Sequence, residues 1–552
     1  MRVFVFFCSL LLTINLGFSQ GNPDILPVSW SLDLDTRMSP IELPPLDLRL
    51  VRVEDSINDL DKTLPWRYGI TRPVALNTET SGVWTELSNG DRIWRVAIRS
   101  PYAINMSINF SDFYMPEGAR LQMYNDDQTD YSASYSKKQN RPTNNLGSWF
   151  VSGDVIWIEY YEPVNVNENF QLAISSIIHG YRLGKVNQFV RSQRGLNDSG
   201  DCNYDVNCPV GVDFDPIKDV VKKTVALLNL GNGYLCSASL INNTALDKKP
   251  FLLTANHCLE ISNPDLWSIR FNWMSPSPIC AGAEESLDIQ SNFTMSGAQL
   301  RASNSRSDFA LVELFNPIPE SWDVAFAGWD STDDLPEYEV GIHHPNGDIM
   351  KICRDDSGAV KDTANGTEVW LIGGVSVGSG DGWELGTTES GSSGSPLFDQ
   401  NGRIIGQLYA GQSFCVDNEN NNDYDIYGRF GVSWNDGSNS SSRLKDWLDP
   451  INIGSTTTET LENLLSVPDV ALDGSLDIYP NPAKDYLNVM NGRYPNLSYR
   501  FYNITGQELM AGSLNASESV IDVQHLTNGI YFLHLLDEGS NQDSTKKIII
   551  NK

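Results

Sequence analysis

The sequence predicts an all-β protein of several domains, with a pair of packed β-barrels at its centre, on three observations. Apolar and polar residues alternate with period two in short runs, among them RIWRVAIRS (92–100), INMSINFSDF (104–113), ARLQMYND (119–126) and VIWIEYYEP (155–163). Turn-forming Gly, Asn, Asp, Ser and Pro separate these runs. A chain of 552 residues is also too long for one apolar core, so two to four domains are expected.

The chain opens with MRVFVFFCSLLLTINLGFSQ, a basic residue followed by an apolar run and small residues, which reads as an export signal over 1–20. Cys8 lies inside the apolar run, which argues against lipid attachment there. No later segment has about eighteen consecutive apolar residues, so stable membrane insertion is not expected. Residues 21–194 carry no cysteine and alternate as antiparallel strands, a β-rich domain. It ends in KVNQFVRSQRGLNDSGD (185–201), polar and open to proteolysis, and a new domain starts near Gly195.

Residues 195–450 supply short strands such as KTVALLNL, FLLTAN, DFALVEL, RIIGQLYA and YGRFGVSW. About 250 residues of this kind suggest two packed barrels. One closing helix is expected, capped by Ser441 or Ser442, with Leu444, Trp447 and Leu448 as its apolar stripe and Pro450 as its stop. Residues 451–474, rich in Thr, Glu and Ser, read as a linker, and 475–552 alternate again as a small β-sandwich.

The charge balance is strongly acidic, 70 Asp plus Glu against 39 Lys plus Arg, which repels a nucleic-acid backbone. A soluble exported surface accounts for it without a partner. After removal of Cys8, seven cysteines remain, all between 202 and 415, and none has the close spacing of a zinc site. In an oxidising compartment they are expected as disulfides, with one left over.

Serine-based amide hydrolysis needs a hydroxyl, an imidazole, a carboxylate to orient the imidazole, and N–H donors for the oxyanion. Three of the six histidines lie in the central domain: His257, His343 and His344. His257 follows the apolar strand of FLLTANHC, Asp308 precedes that of SRSDFALVEL, and Ser393 sits in the glycine-flanked turn ESGSSGSPLF, which aims the amides of Gly391 and Ser393 at one point. Singly each piece is weak, since a lone His beside a strand is more often structural and GSSGS alone fits any loop. Together, in the order His, Asp, Ser, they form a triad with an oxyanion hole. His343 and His344 are read as structural, because no second base is required.

TANHC, SDFALVEL and GSSGSP resemble the three motif blocks of chymotrypsin-like serine peptidases. The chain from 202 to 448 resembles the bacterial lysyl endopeptidase family nearly end to end, through CNYDVNCP, LCSASLINNT, LTANHC, SDFALVEL, AGWD, GIHHPNGD, TESGSSGSPLFD, GQLYAG, YGR and RLKDWLDP. The resemblance implies a chymotrypsin-like double β-barrel with His257 as general base, Asp308 as its orienter and Ser393 as nucleophile. It also implies the pairs Cys202–Cys415, Cys208–Cys280 and Cys236–Cys258, with Cys353 free. Two positions depart from the family: Asn256 stands where Ala or His is usual, and Tyr409 where members can carry His.

Trypsin-like enzymes place an acid six residues before the nucleophile, and here that position is Thr387. The resemblance puts the pocket carboxylate at Asp425 instead, in NDYDIYGR; an ordinary turn carboxylate is the plainer reading. The surrounding DNENNNDYD lacks the glycine and distal glutamate of a helix-loop-helix calcium site, so no metal and no cofactor are expected. Tyr409 to Gly411 are expected as an edge strand that receives the substrate backbone. Trp383 is read either as stacking near the pocket or as core.

Residues 91–127 resemble the propeptide region of the same peptidases, which implies a proenzyme; a permanent binding module is the alternative. YPNPAKDYLNV, YNITGQ, IDVQHLTNGIYFL and KKIIINK resemble the C-terminal sorting domain of type IX secretion, with a carbohydrate-binding sandwich as the alternative. The expectation is a secreted monomeric serine endopeptidase acting after lysine on protein or peptide substrates, sorted by the type IX machinery. The rivals are Arg or mixed Lys/Arg cleavage, glutamyl cleavage, which an acid at 425 opposes, and a non-catalytic peptide-binding homologue, which would be expected to lack part of the triad.

Overall fold

The structure is a computed structural model that describes residues 26–32, 38–166, 168–182, 199–282, 293–462, 476–491, 497–503, 506–514, 518–537 and 542–552. The expected export signal and most of the expected processing segment lie outside these residues. The chain divides into two compact units, 1–463 and 464–552. Among the described residues no helix is long and apolar enough to cross a membrane.

The N-terminal part of the first unit is built from two five-stranded sheets. One is centred on Arg92–Arg99 and Val155–Glu162, paired antiparallel, and the other on Asn105–Tyr114 and Gln171–Gly180. Alternate residues Trp94, Val96, Ile98, Ile156, Ile158 and Tyr160 enter a core shared with Met106, Ile108 and Phe110. This is the period-two pattern at work. A helix, Arg49–Asn58, escaped the strand reading. It is held by its polar side: Asp55 is buried and accepts from Arg67 Nε (2.8 Å) and Tyr181 Oη (2.5 Å), while Leu50, Val53 and Ile57 stay exposed.

The remainder of the first unit consists mainly of two large sheets, of eight and ten strands. Each has its own apolar core, one around Leu228, Leu240, Leu252 and Ile269, the other around Trp370, Leu397, Leu408 and Tyr427. A third core, with Val225, Leu253, Phe309, Ile342, Ile352 and Phe398, lies between the sheets. Strand Val225–Asn229 shows why KTVALLNL is apolar on both faces: Ala226 and Leu228 point into the first sheet's core, Val225 into the shared core and Leu227 toward the N-terminal sandwich. The fold is all-β, as expected.

Three local expectations are corrected. YGRFGVSW is a strand only to Arg429; Phe430–Asn435 is a helix, because Phe430 and Trp434, four residues apart, both pack on Trp329. The closing helix is a single turn, Lys445–Leu448, that begins after Leu444 without a serine cap, since Ser442 Oγ bonds Asn439 O instead. Residues 451–462, expected as linker, contribute two short strands: Thr457–Thr458 pairs with Trp329–Asp330 and Leu461–Glu462 with Ala325–Phe326.

Three disulfides close, Cys202–Cys415, Cys208–Cys280 and Cys236–Cys258, and Cys353 is free and buried. The unit 464–552 is a sandwich of a three- and a four-stranded sheet around Leu487, Val489, Phe501, Leu533 and Ile548.

Candidate active site

His257 lies in the short helix Asn256–Glu260 that follows strand Phe251–Ala255, and Asp308 lies immediately before Phe309–Leu314, the neighbouring strand. That pairing brings the two side chains together. Asp308 Oδ1 accepts from the His257 amide (3.0 Å) and Oδ2 contacts His257 Nδ1 (2.8 Å), which fixes the ring and leaves Nε2 free for the opposite side. Asp308 holds a left-handed backbone, φ 52°, which aspartate tolerates better than most residues. Burial pushes its carboxyl above the usual range, opposed by the adjacent imidazole. Asn256 turns away, donating to Glu260 Oε1 (2.7 Å).

Ser393 comes from the second sheet, in the loop before Pro396–Asp399. Gly391 and Gly394 have φ of 94° and 82°, and a Cβ at Gly394 would lie 2.2 Å from Thr254 Oγ1. The loop is pinned to the first sheet: the Ser237 amide donates to Ser393 O (2.8 Å) and Ser237 Oγ to Gly391 O (3.0 Å). His343 and His344 brace the same region. His343 Nδ1 contacts Ser392 Oγ (2.7 Å), and His344 Nδ1 contacts Asp348 O (2.9 Å). Burial holds His343 well below the ordinary imidazole range and His344 down at about 4, so both are neutral props.

Asp425 is fully buried at the start of strand Asp425–Arg429. Its Oδ2 accepts three hydrogen bonds, from Trp383 Nε1 (2.7 Å), Thr388 Oγ1 (2.7 Å) and Ser413 Oγ (2.6 Å). Its Oδ1 accepts from Lys62 Nζ at 2.7 Å, and the same ammonium reaches Thr388 Oγ1 and Ser413 Oγ, each at 2.8 Å. The three N–H donors of the lysine are therefore all used. Gly411 makes room for this group, since a Cβ there would fall 1.8 Å from Asp425 Oδ1.

Lys62 thus fills a slot that ends at Ser393, whose Oγ donates to the Lys62 carbonyl oxygen at 3.0 Å. Among the described residues, the buried His257 Nε2 has no hydrogen-bond partner. Tyr409 sits at a bulge in Ile404–Gly411, its ring 6.2 Å from that of His257. This strand is interior over 404–407, between Pro396–Asp399 and Asp425–Arg429, whereas over 409–411, the segment expected as an edge, no described strand lies on the second side.

Sequence reasoning missed Thr388, Ser413 and Lys62. The first two lie 37 and 12 residues from Asp425 and meet it only through folding of the second sheet. Trp383, left between pocket and core, is buried and bonded to Asp425. Thr387 does not reach Asp425; its hydroxyl faces Thr388 O (3.5 Å). The buried Cys353 thiol lies near Gly341 O (3.6 Å), and burial raises it well above its ordinary range, which leaves it unreactive.

Residues 196–428 match the family model of the lysyl endopeptidase C-terminal domain, and 477–551 that of the secretion system C-terminal sorting domain. A lysyl endopeptidase of Pseudomonas aeruginosa is 25% identical over 295 residues, which cover 50% of this chain and 59% of that protein. Among solved structures, PorZ, a surface component of the type IX secretion system of Porphyromonas gingivalis, overlaps at TM-score 0.14 and 10% identity, covering 52% of this chain and 29% of its own. The BSP domain of a biofilm-associated protein overlaps at TM-score 0.12 and 8% identity, covering 91% and 69%. Neither overlap bears on the fold. The sorting domain indicates export by type IX secretion to the cell surface or beyond. The chain thus joins a region that matches the lysyl endopeptidase C-terminal-domain model, 196–428, to one that matches the secretion sorting-domain model, 477–551.

Proposed function

We propose that the chain is a serine endopeptidase that cuts peptide bonds on the carboxyl side of lysine through an acyl-enzyme. The observation that carries this reading is the lysine ammonium held by Asp425, Thr388 and Ser413 at one end of a slot whose other end is Ser393.

In this reaction His257 Nε2 takes the Ser393 proton as Oγ attacks the scissile carbonyl carbon. Asp308 keeps Nδ1 protonated and stabilises the imidazolium. The amides of Gly391 and Ser393 receive the oxyanion, and His257 then returns the proton to the leaving amine. Water repeats the sequence on the ester. The substrate backbone lies along 409–411, where the strand has an open side.

Lysine is favoured over arginine for a reason of donor geometry. A guanidinium binds a carboxylate best through both oxygens, but Asp425 Oδ2 is already saturated by three protein donors. Only Oδ1 faces the ligand. A compact ammonium suits one free oxygen flanked by two hydroxyls, whereas a planar fork does not. A glutamyl side chain would face a buried like charge. We also assign residues 21–194 as a prodomain and expect a monomer, because triad and pocket come from one chain.

The test is Ser393→Ala in the purified protein. Hydrolysis of a lysyl anilide and labelling by a fluorophosphonate should both disappear while the melting temperature stays within a few degrees. Labelling that persists at another serine would reject the assignment.

A further inference from the structure

Lys62 is a buried charged residue that the proposed reaction does not use, and it is paired with the carboxylate at the floor of the proposed pocket. It belongs to the N-terminal sandwich region, yet its side chain is only 4% exposed and its ammonium forms an ion pair with Asp425 at 2.7 Å. Resting on the reading of Asp425 as the lysine pocket, we propose that Lys62 is a built-in pseudosubstrate: a P1-like side chain that the enzyme binds but cannot cut.

Three features separate binding from cleavage. The chain at Lys62 is folded back, not extended: the Leu64 amide donates to Asp61 O (3.1 Å), and Asp61 Oδ1 accepts from the Thr63 amide (3.0 Å) and Thr63 Oγ1 (2.5 Å). Lys62 and Thr63 are therefore the two central residues of a tight turn. A substrate lies extended along an open strand edge to be cut, and 409–411 has no strand from this segment beside it. Next, the Ser393 hydroxyl donates to the Lys62 carbonyl oxygen, so its proton points at the ligand and not at His257 Nε2, which has no partner among the described residues. Finally, among the described residues neither the Gly391 nor the Ser393 amide bonds that oxygen. The carbonyl stands at the nucleophile without being polarised by the oxyanion donors.

The turn is also held from both sides. Behind it, helix Arg49–Asn58 is fastened through Asp55 to Arg67 and Tyr181, and Arg182 bonds Asp59 Oδ1 (2.9 Å) and the Arg67 carbonyl (2.6 Å). Ahead of it, Trp66–Arg67 adds an antiparallel strand to Tyr234–Leu235. Trp66, Tyr68, Trp149 and Phe150 pack with Leu227, Leu235 and Trp273. Gly147 approaches the backbone so closely that a Cβ would lie 1.9 Å from Leu266 O. A pseudosubstrate works by this kind of preorganisation, because its affinity does not depend on ordering a free peptide. The immediate product is a chain whose specificity pocket and nucleophile are both occupied by its own lysine.

The test compares the intact wild-type chain with Lys62→Ala and with Lys62→Met, which keeps the stem in the slot and removes only the charge. Each is labelled with a fluorophosphonate, and the rate is read on the full-length band of a gel, with processed bands scored separately. Both variants should label at least tenfold faster than wild type, and mass spectrometry of the wild-type chain should find no cut between Lys62 and Thr63. Equal labelling of the three intact chains, or a wild-type cut after Lys62, would overturn the proposal. If the processed chain lacking the N-terminal region neither labels at Ser393 nor cleaves a lysyl anilide, the peptidase reading itself has failed.

Discussion

Replacing Asp425 by Asn removes the single charge from a site that makes four hydrogen bonds to that side chain, from Trp383, Thr388, Ser413 and the ligand ammonium. An amide offers one oxygen, with room for two donors, and turns its NH2 toward the others. At least two of the four bonds are lost whichever way it sits. Bonds to a charged group contribute about 1.5–3 kcal/mol each, and a buried cation left without its partner costs about 3–5 kcal/mol. At about 1.4 kcal/mol per decade, kcat/KM for a lysyl substrate should fall by roughly two to four orders of magnitude. The assay is kcat/KM for matched lysyl, arginyl and norleucyl anilides in wild type and Asp425→Asn. The norleucyl value should change little, because that side chain brings no charge to the floor of the slot. Lysyl cleavage within about threefold of wild type, roughly 0.7 kcal/mol, would refute the reasoning.

Gly411→Ala should abolish lysyl cleavage while leaving fluorophosphonate labelling of the processed enzyme intact, since the new Cβ enters the space of Asp425 Oδ1 but not that of Ser393; parallel loss of both activities would contradict this. The Cys236–Cys258 bridge spans 22 residues of sequence. Its removal by paired Ala substitutions should cost about 3 kcal/mol in chemical denaturation, and non-reducing peptide maps should show Cys353 unbridged. Folding holds His344 neutral down to about 4, so between that value and its ordinary 6.5 the unfolded chain binds a proton that the folded chain refuses. Its contribution is complete above pH 6.5 and is lost as pH falls toward 4, by up to about 3 kcal/mol. The buried Glu389 and Glu339, whose carboxyls burial raises, act in the opposite sense. The comparison is therefore wild type against His344→Gln, which should lose less stability across that window; identical pH profiles would exclude the assignment.

The strands were legible because each covers a core with alternate residues, as Trp94, Val96 and Ile98 do. His257, Asp308 and Ser393 were legible because each lies beside an apolar strand with its own local signature. The pocket was only half legible. Asp425 could be found by resemblance, but Thr388, Ser413 and Trp383 converge on it through sheet closure, and no periodicity in one segment reports a meeting of four segments. Lys62 was illegible for a further reason: in sequence it is one lysine in a polar turn, and its meaning comes from a contact 363 residues away. Helix Phe430–Asn435 was missed because aromatic residues read as strand, although the spacing of Phe430 and Trp434 already fitted one helical face.

The most direct test of the central claim is a digest of a denatured protein by the processed enzyme, with every new terminus read by mass spectrometry. The single Asp425 oxygen that faces the ligand, Oδ1, predicts new C-termini that are lysine, with arginine at least tenfold rarer per available site, and no products from the Ser393→Ala enzyme. Equal cutting after arginine and lysine would contradict the lysine reading, and absence of any cutting by an enzyme with Cys236–Cys258 intact would contradict the peptidase reading as a whole.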